Sequence, residues 1–255
     1  MLSLSSGFSQ NKARKYCINQ KTVLEEEFYS ENKRKLLKRA ANIKIKRSDE
    51  KKLDTDLSIQ LDKKDGIPAS INFGNRDNQN KLYINFCLPT RLSQKNDGNE
   101  LYYYYELKNR QSVKIKFTEW SFNALSTPVK INFTNNKSRF STGSNLGVLI
   151  GKSRGSTTFT HLSNVGNIQK DKKQTFGFYL GVSKINFSFT DELNQENDIE
   201  AGLVSPGLGY LLTYERFNFG TILGLDYALG DNSSKWNFQG SPWLGISLGY
   251  SLFSF

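Results

Sequence analysis

The chain is poor in the residues that build reactive centres. Two cysteines and one histidine in 255 residues cannot complete a zinc site made of those side chains or staple a disulfide-dense scaffold, so no cofactor or metal is expected. No apolar run approaches the length of a membrane-crossing helix, and the mean hydropathy is −0.55, which excludes helical spans. It does not exclude crossing by strands, whose alternation averages out as polar. Positive charge is in excess, with 35 Lys+Arg against 24 Asp+Glu for a net +11. Those cations are interleaved with acids and carry no nucleic-acid-binding signature, so nucleic acid is not an expected partner. A surface beside anionic headgroups or lipopolysaccharide phosphates suits them better. The length allows one large β domain or two small ones, with a buried core.

Residues 1–10, MLSLSSGFSQ, have no basic n-region but resemble the tail of a secretory signal, and are read as a signal-peptide remnant. Residues 11–52 are read as an N-terminal helical or periplasmic segment. Within them, 22–47 has Thr22 as a cap, Glu25, Glu26 and Glu27 early, and Lys33, Arg34, Lys35, Lys38 and Arg39 late, the order a helix macrodipole favours. The apolar stripe of Leu24, Phe28, Leu36, Leu37 and Ala40 is thin. Cys17 and Cys87 lack informative spacing and are read as unpaired thiols.

From residue 53 to 255 the period is two, which predicts a β domain with no further helix. Leu57, Ile59 and Leu61 alternate with polar neighbours, as do Leu82, Ile84 and Phe86, then Val113, Ile115 and Phe117, then Val129, Ile131 and Phe133. Turn chemistry at Asn96-Asp97-Gly98 and Gly230-Asp231-Asn232 separates the runs. Toward the C-terminus, Phe219, Leu223, Leu225, Tyr227 and Leu229 oppose Asn218, Gly220, Gly224, Asp226 and Ala228, with Ile222 the exception. Leu244, Ile246, Leu248, Tyr250 and Leu252 oppose Gly245, Ser247, Gly249 and Ser251. A core built on the Gly/Ser face would be short of volume. A barrel with lipid outside and small polar residues inside has no such deficit. Tyr210, Tyr214, Trp236 and Trp243 suit interfacial girdles. Phe255 ends the chain, although Phe253 and Phe255 fall on the Gly/Ser face unless a bulge intervenes.

The segment 235–255, KWNFQGSPWLGISLGYSLFSF, with Thr127-Pro128-Val129-Lys130 and the Gly-rich stretch 145–151, resembles a broad group of outer-membrane barrels of Bacteroidota. The resemblance covers roughly residues 80–255. It implies an all-β, antiparallel transmembrane β-barrel of eight to twelve strands, ten as the best value, in the bacterial outer membrane, with a lumen filled by side chains rather than a wide pore. The implied role is structural, adaptor or narrow transport without catalysis. Outer-membrane lipid or lipopolysaccharide, and protein partners in an envelope complex, would be its contacts.

One constellation could carry chemistry. His161 and Ser163 lie two apart, so on a strand they share a face, and an imidazole beside a hydroxyl is the minimum for acyl transfer. His161-Leu162-Ser163-Asn164-Val165-Gly166 resembles the signature of lipid A 3-O-deacylases and is similar to the His-x-Ser-Asn-Gly run of outer-membrane phospholipase A. The resemblance implies Ser163 as nucleophile and His161 as base. The acidic third member is missing: Gln174 or Thr175 stands in its place, and Asp171 lies in the Lys-rich stretch 170–173. Two alternatives to a non-catalytic barrel follow. One is a membrane-lipid acyl hydrolase using Ser163, His161 and Gln174. The other is a soluble extracellular β-sandwich binding module for a surface polymer, which requires its Gly/Ser face in solvent. Glu106, Glu119 and Asp226 are read as partners of lysines such as Lys114, Lys116 and Lys130.

Overall fold

The computed structural model describes residues 14–19, 22–53, 55–62, 66–75, 78–87, 101–134, 137–190, 196–230 and 233–254. The reading of 1–10, the turn at 96–98 and Phe255 lie outside the described residues. The rest is all-β and antiparallel except for one eight-residue α-helix and a single 3-10 turn at Ser233–Lys235. In chain order the elements are β1 (Tyr16–Ile18), β2 (Val23–Ser30), β3 (Lys35–Ala40), β4 (Ile45–Arg47), α1 (Thr55–Asp62), β5 (Ile67–Phe73), β6 (Lys81–Phe86), β7 (Tyr103–Glu106), β8 (Gln111–Thr134), β9 (Lys137–Leu162), β10 (Gly166–Thr190), β11 (Glu196–Tyr214), β12 (Phe217–Leu229) and β13 (Ser241–Ser254). The chain divides into two compact units, the first of residues 1–118 and 156–170, the second of 119–155 and 171–255.

Unit 1 has an ordinary apolar core. Its strands pair in the order β8-β1-β5-β6-β7-β4, with β2 also on β8 and β3 on β2. Alternate residues Leu82, Ile84 and Phe86, and Val113, Ile115 and Phe117, turn inward with Tyr16, Ile18 and Phe159. Two expectations are corrected here. The segment 22–47 is not helical: β2 and β3 form a hairpin turned through residues 31–34, with Arg34 at φ +48°. Acids early and bases late serve an antiparallel pair as well as a macrodipole, because the register sets Glu26 against Arg39 and Glu27 against Lys38. Arg39 reaches Glu26 at 3.1 Å and Lys38 reaches Glu25 at 3.2 Å. Conversely, Leu57, Ile59 and Leu61 are not a strand. They lie on α1, where Leu57 and Leu61 at i, i+4 enter the core while Ile59 is 55% exposed.

Unit 2 buries the opposite kind of residue. Strands β8 to β13 pair in sequence, and β13 pairs back on β8, so the hydrogen-bonding order returns on itself through six strands. Six is fewer than the eight to twelve expected, because the period-two segments between 67 and 106 belong to the sheet of unit 1. On β12 every second residue is buried: Asn218, Gly220, Ile222, Gly224, Asp226 and Ala228. The intervening Phe219, Leu223, Leu225, Tyr227 and Leu229 are exposed.

Two irregularities control which side chains point inward. Between Ile246 and Leu248 of β13 the partner on β8 jumps from Val129 to Ser126, an extra β8 residue beside Pro128. Proline cannot donate to the ladder and is confined to such bulges or edges. Buried parity on β8 changes there, from Glu119, Ser121, Asn123 and Thr127 to Lys130 and Asn132. The second shift, between Ser251 and Phe253, is the bulge that turns Phe253 outward. Its ring stacks on Phe122 at 4.9 Å between centroids.

Inside, the residues of unit 2 group as polar and apolar clusters. Leu125, Leu149, Tyr179, Leu211, Ile222 and Trp243 form one apolar cluster. Ala201, Leu203, Ala228 and Trp236 form another. Trp236 and Trp243 are 6% and 0% exposed, which corrects their expected place in a girdle. Trp243 shares the parity of Gly245 and Ser247, and that parity places the indole inside. The interior is tightly filled, since a Cβ on Gly245 would fall 2.5 Å from Thr127 Cγ2.

Candidate functional site

The structure places His161 at the end of a strand and Ser163 in the turn that follows it. β9 ends at Leu162 and the chain turns through 163–165, with Asn164 at φ +66°. The period-two geometry that would set His161 beside Ser163 therefore stops between them. His161 is buried, and its Nδ1 lies 2.8 Å from Asn167 Oδ1. Asn167 Nδ2 donates to the Gln79 carbonyl at 2.8 Å, which leaves Oδ1 as the acceptor and assigns the ring proton to Nδ1. The Arg110 N–H donates to the His161 carbonyl at 2.8 Å. Ser163 is exposed, and its backbone N–H donates to Asn109 Oδ1 at 3.0 Å. No hydrogen bond joins His161 to Ser163 among the described residues.

Gln174 belongs to unit 2, exposed on β10 between Lys172 and Phe176. Its neighbour Thr175 points inward and shares a 2.7 Å hydrogen bond with Ser153. The Asp171 carbonyl accepts from the Glu215 N–H at 2.8 Å. His161 is thus bound into a turn by its neighbours.

The carboxylates do form ion pairs, with partners the sequence only partly identified. Asp226 meets Lys130 at 2.7 Å, both nearly fully buried in unit 2. Glu119 meets Lys173 at 3.0 Å, also buried. Glu106 pairs with Lys46 in unit 1, and the Lys46 hydrogen bond lowers the Glu106 pKa. Asp226 is saturated: besides Lys130 it accepts from Ser205 Oγ at 2.6 Å and Asn132 Nδ2 at 3.0 Å. Lys130 Nζ also lies 4.1 Å from the centroid of the Trp243 ring, an attraction strengthened by desolvation. Below this group, Thr127 and Ser247 share a 2.7 Å hydrogen bond, and Ser121 joins Ser153 at 2.5 Å. Such a network satisfies most of a polar interior, while the buried Trp236 and Trp243 Nε1 groups have no hydrogen-bond partner among the described residues.

The least ordinary feature is the outward face of unit 2. Cross-strand register carries one apolar row from Phe178 through Leu208, Leu223 and Leu244 to Ile131. Another runs from Phe176 through Tyr210, Thr221 and Ile246 to Val129. Phe178 is 76% exposed and Phe217 70%. At roughly 100 Å² apiece, the exposed apolar side chains of this face amount to on the order of 2,000 Å², several times the largest patch of an ordinary soluble monomer. Near the 215–216 turn the face is aromatic, with Trp120, Tyr214, Phe217 and Tyr250 exposed and Phe217 edge-on to Tyr250.

Among the described residues, no helix is long and apolar enough to cross a membrane, and no group of three His, Cys, Asp or Glu side chains is placed to hold a metal ion. No protein-family model, curated protein or solved structure matches this chain.

Proposed function

We propose that unit 2 is a small transmembrane β-barrel of six strands and that the protein is a non-catalytic component of a bacterial outer membrane, with a structural or adaptor role. The observation that carries this reading is the inverted burial: Phe, Leu, Ile, Val and Tyr cover the outward face while the interior holds two ion pairs and many Ser, Thr, Asn and Gly residues beside two small apolar clusters. At about 25 cal/mol per Å², keeping an apolar face of about 2,000 Å² in water forgoes on the order of 50 kcal/mol, far beyond the stability of a soluble domain.

The length of the band supports the same reading. On β10, Gln174 and Lys184 bracket the outward residues Phe176, Phe178, Leu180 and Val182. At about 3.3 Å per residue, and with the tilt near 40° that transmembrane barrels have, that interval would be about 25 Å tall, the height of such a barrel's apolar band. A ring of six strands is narrower than the eight-stranded barrels that side chains already fill, which accounts for the glycines and serines inside and argues against a water-filled pore. Transport of bulk solute is not part of the proposal. The engagement of His161 with Asn167, and of the Ser163 backbone with Asn109, favours a structural role for this turn, and burial of the Gly/Ser face speaks against the sandwich.

The test is purification and refolding of the full chain in detergent, followed by gel migration with and without boiling and by reconstitution into vesicles. Heat-modifiable migration and resistance to alkaline carbonate extraction are the expected results. A fully soluble monomer without detergent overturns the proposal.

A further inference from the structure

Unit 1 contains a cleft that the membrane reading does not use. It has a volume of about 1120 Å³ and lies among β2, the 43–53 segment, α1 and β7. Its apolar lining comes from Leu24, Ile43, Ile45, Leu53 and Leu61, residues that also belong to or pack on the core of unit 1. Such a volume slightly exceeds the usual range for small-molecule sites, which are mostly apolar with a few placed polar groups.

The charged groups at this cleft are almost all of one sign. Five cations line it against one acid, Glu50. Two of the five are committed, Lys46 to Glu106 and Arg47 to Asp49. Lys44, Lys51 and Lys52 are exposed and form no ion pair among the described residues, although Lys51 lies near enough to Asp49 to help hold its carboxyl low. Three ammonium groups outside ion pairs beside an aliphatic floor present two chemistries at once: charge complementarity for an anionic head, and a half-buried apolar surface for a hydrocarbon chain.

We infer that this cleft binds an anionic amphiphile, a phosphate- or carboxylate-headed acyl chain, with the head against Lys44, Lys51 and Lys52 and the chain over Leu24, Ile45 and Leu53. The inference stands apart from the membrane proposal, because every residue in it belongs to unit 1.

The test is photolabelling of the full chain, kept in buffer or in zwitterionic nanodiscs according to which holds it monodisperse. Three diazirine probes are compared: an acyl phosphate, a fatty acid and the uncharged fatty alcohol. Labelled residues are mapped by mass spectrometry. The expected result is labelling of Leu24 and of 43–53 by one or both anionic probes. The alcohol should label these positions roughly tenfold less, the factor that losing one charge-assisted contact predicts. The variant Lys44→Glu/Lys51→Glu/Lys52→Glu should lose this labelling, while any labelling of unit 2 persists as the control for folding. Because all three side chains are exposed, Lys→Gln at the same positions gives a milder version of the same loss.

Phosphate-headed and carboxylate-headed sources are distinguished by which anionic probe labels more strongly. Equal labelling by the alcohol overturns the role of the cations. Labelling confined to unit 2, or unchanged in both variants, overturns the site. Full competition by millimolar inorganic phosphate would show an anion site without a chain requirement, and would overturn the amphiphile.

Discussion

The buried pair Lys130–Asp226 gives the sharpest test of how the interior of unit 2 is held. Lys130→Met keeps most of the side-chain volume and removes the cation. Asp226 then remains buried without its cation, with only Ser205 and Asn132 to satisfy it. Removing one member of such a pair costs about 3–5 kcal/mol, while replacing both with apolar residues of similar volume is often neutral or stabilising. Lys130→Met is therefore expected to lower unfolding stability by about 3–5 kcal/mol. Lys130→Met combined with Asp226→Leu should recover most of the loss. The contact between Lys130 Nζ and the Trp243 ring adds a smaller share, about 1–2 kcal/mol, which the double variant does not restore. The assay is urea unfolding of the full chain in detergent or lipid, followed by intrinsic tryptophan fluorescence, to which buried Trp243 contributes. A single variant within 1 kcal/mol of the parent, or a double variant as unstable as the single, refutes the claim that this pair is a desolvated, mutually dependent unit.

Other perturbations follow from the same structure. Burial pushes the Tyr105 phenol up to about 12, while a hydrogen bond with Thr22 works the other way. An acid whose pKa rises on folding leaves stability intact below its unfolded value and removes it above. The chain should therefore lose about 3 kcal/mol between pH 10 and 12 that Tyr105→Phe does not lose, as read by paired urea titrations. At the acid end, the Arg47 hydrogen bond holds Asp49 at about 2, so its contribution is present above about pH 4 and fades as pH falls toward 2. Asp49→Asn should flatten that part of the profile. Gly245→Val drives carbon atoms into Thr127 Cγ2 and should cost at least 1–3 kcal/mol, whereas Thr221→Val on the outward face should be near neutral. Ser163→Ala should leave folding unchanged, while His161→Ala should cost about 1 kcal/mol through the lost Asn167 contact, measured by the same unfolding assay.

Strand alternation was legible because a period of two survives wherever one face is buried, whether that face meets a core or a lipid. For the same reason alternation could not assign strands to units. Val113, Ile115 and Phe117 point into a core, and Val129, Ile131 and Phe133 point away from one, although the six residues read alike. Short segments were the least legible. Leu57, Ile59 and Leu61 fit a strand, but Leu53, Leu57 and Leu61 fit a helix equally well, and only packing decides between them. Glu25 to Arg39 misled for a related reason, since a run of acids followed by a run of bases is complementary both along a helix and across a hairpin. At the candidate site, the spacing of His161 and Ser163 was legible and the strand end between them was not. Asn164 at positive φ is tolerated because a short polar side chain can adopt that conformation in a turn.

Pro128 connects these observations most directly. Without the bulge, strict alternation through the same residues of β8 would continue from Thr127 to Val129 and Ile131, placing two aliphatic side chains inside and Lys130 and Asn132 on the apolar outer face. The bulge reverses this, so that Lys130 reaches Asp226 and Val129 joins the outward row with Ile246. One local backbone irregularity thereby determines both the charge balance of the interior and the continuity of the outer apolar band. Deleting Pro128 alone would remove the extra residue and leave a regular alternation in which Lys130 and Asn132 still face inward, whereas deleting Pro128 and Val129 together would shift every later β8 side chain to the opposite face. The double deletion should therefore damage unit 2 more than Lys130→Met does, because it strands Asp226 and also exposes Lys130 and Asn132 among Leu244 and Ile246. The single deletion and the substitution Pro128→Ala, which keeps the residue count, should be far milder. The contrast between the double deletion and these two variants, read as refolding yield in detergent, tests whether residue number rather than proline itself sets the parity.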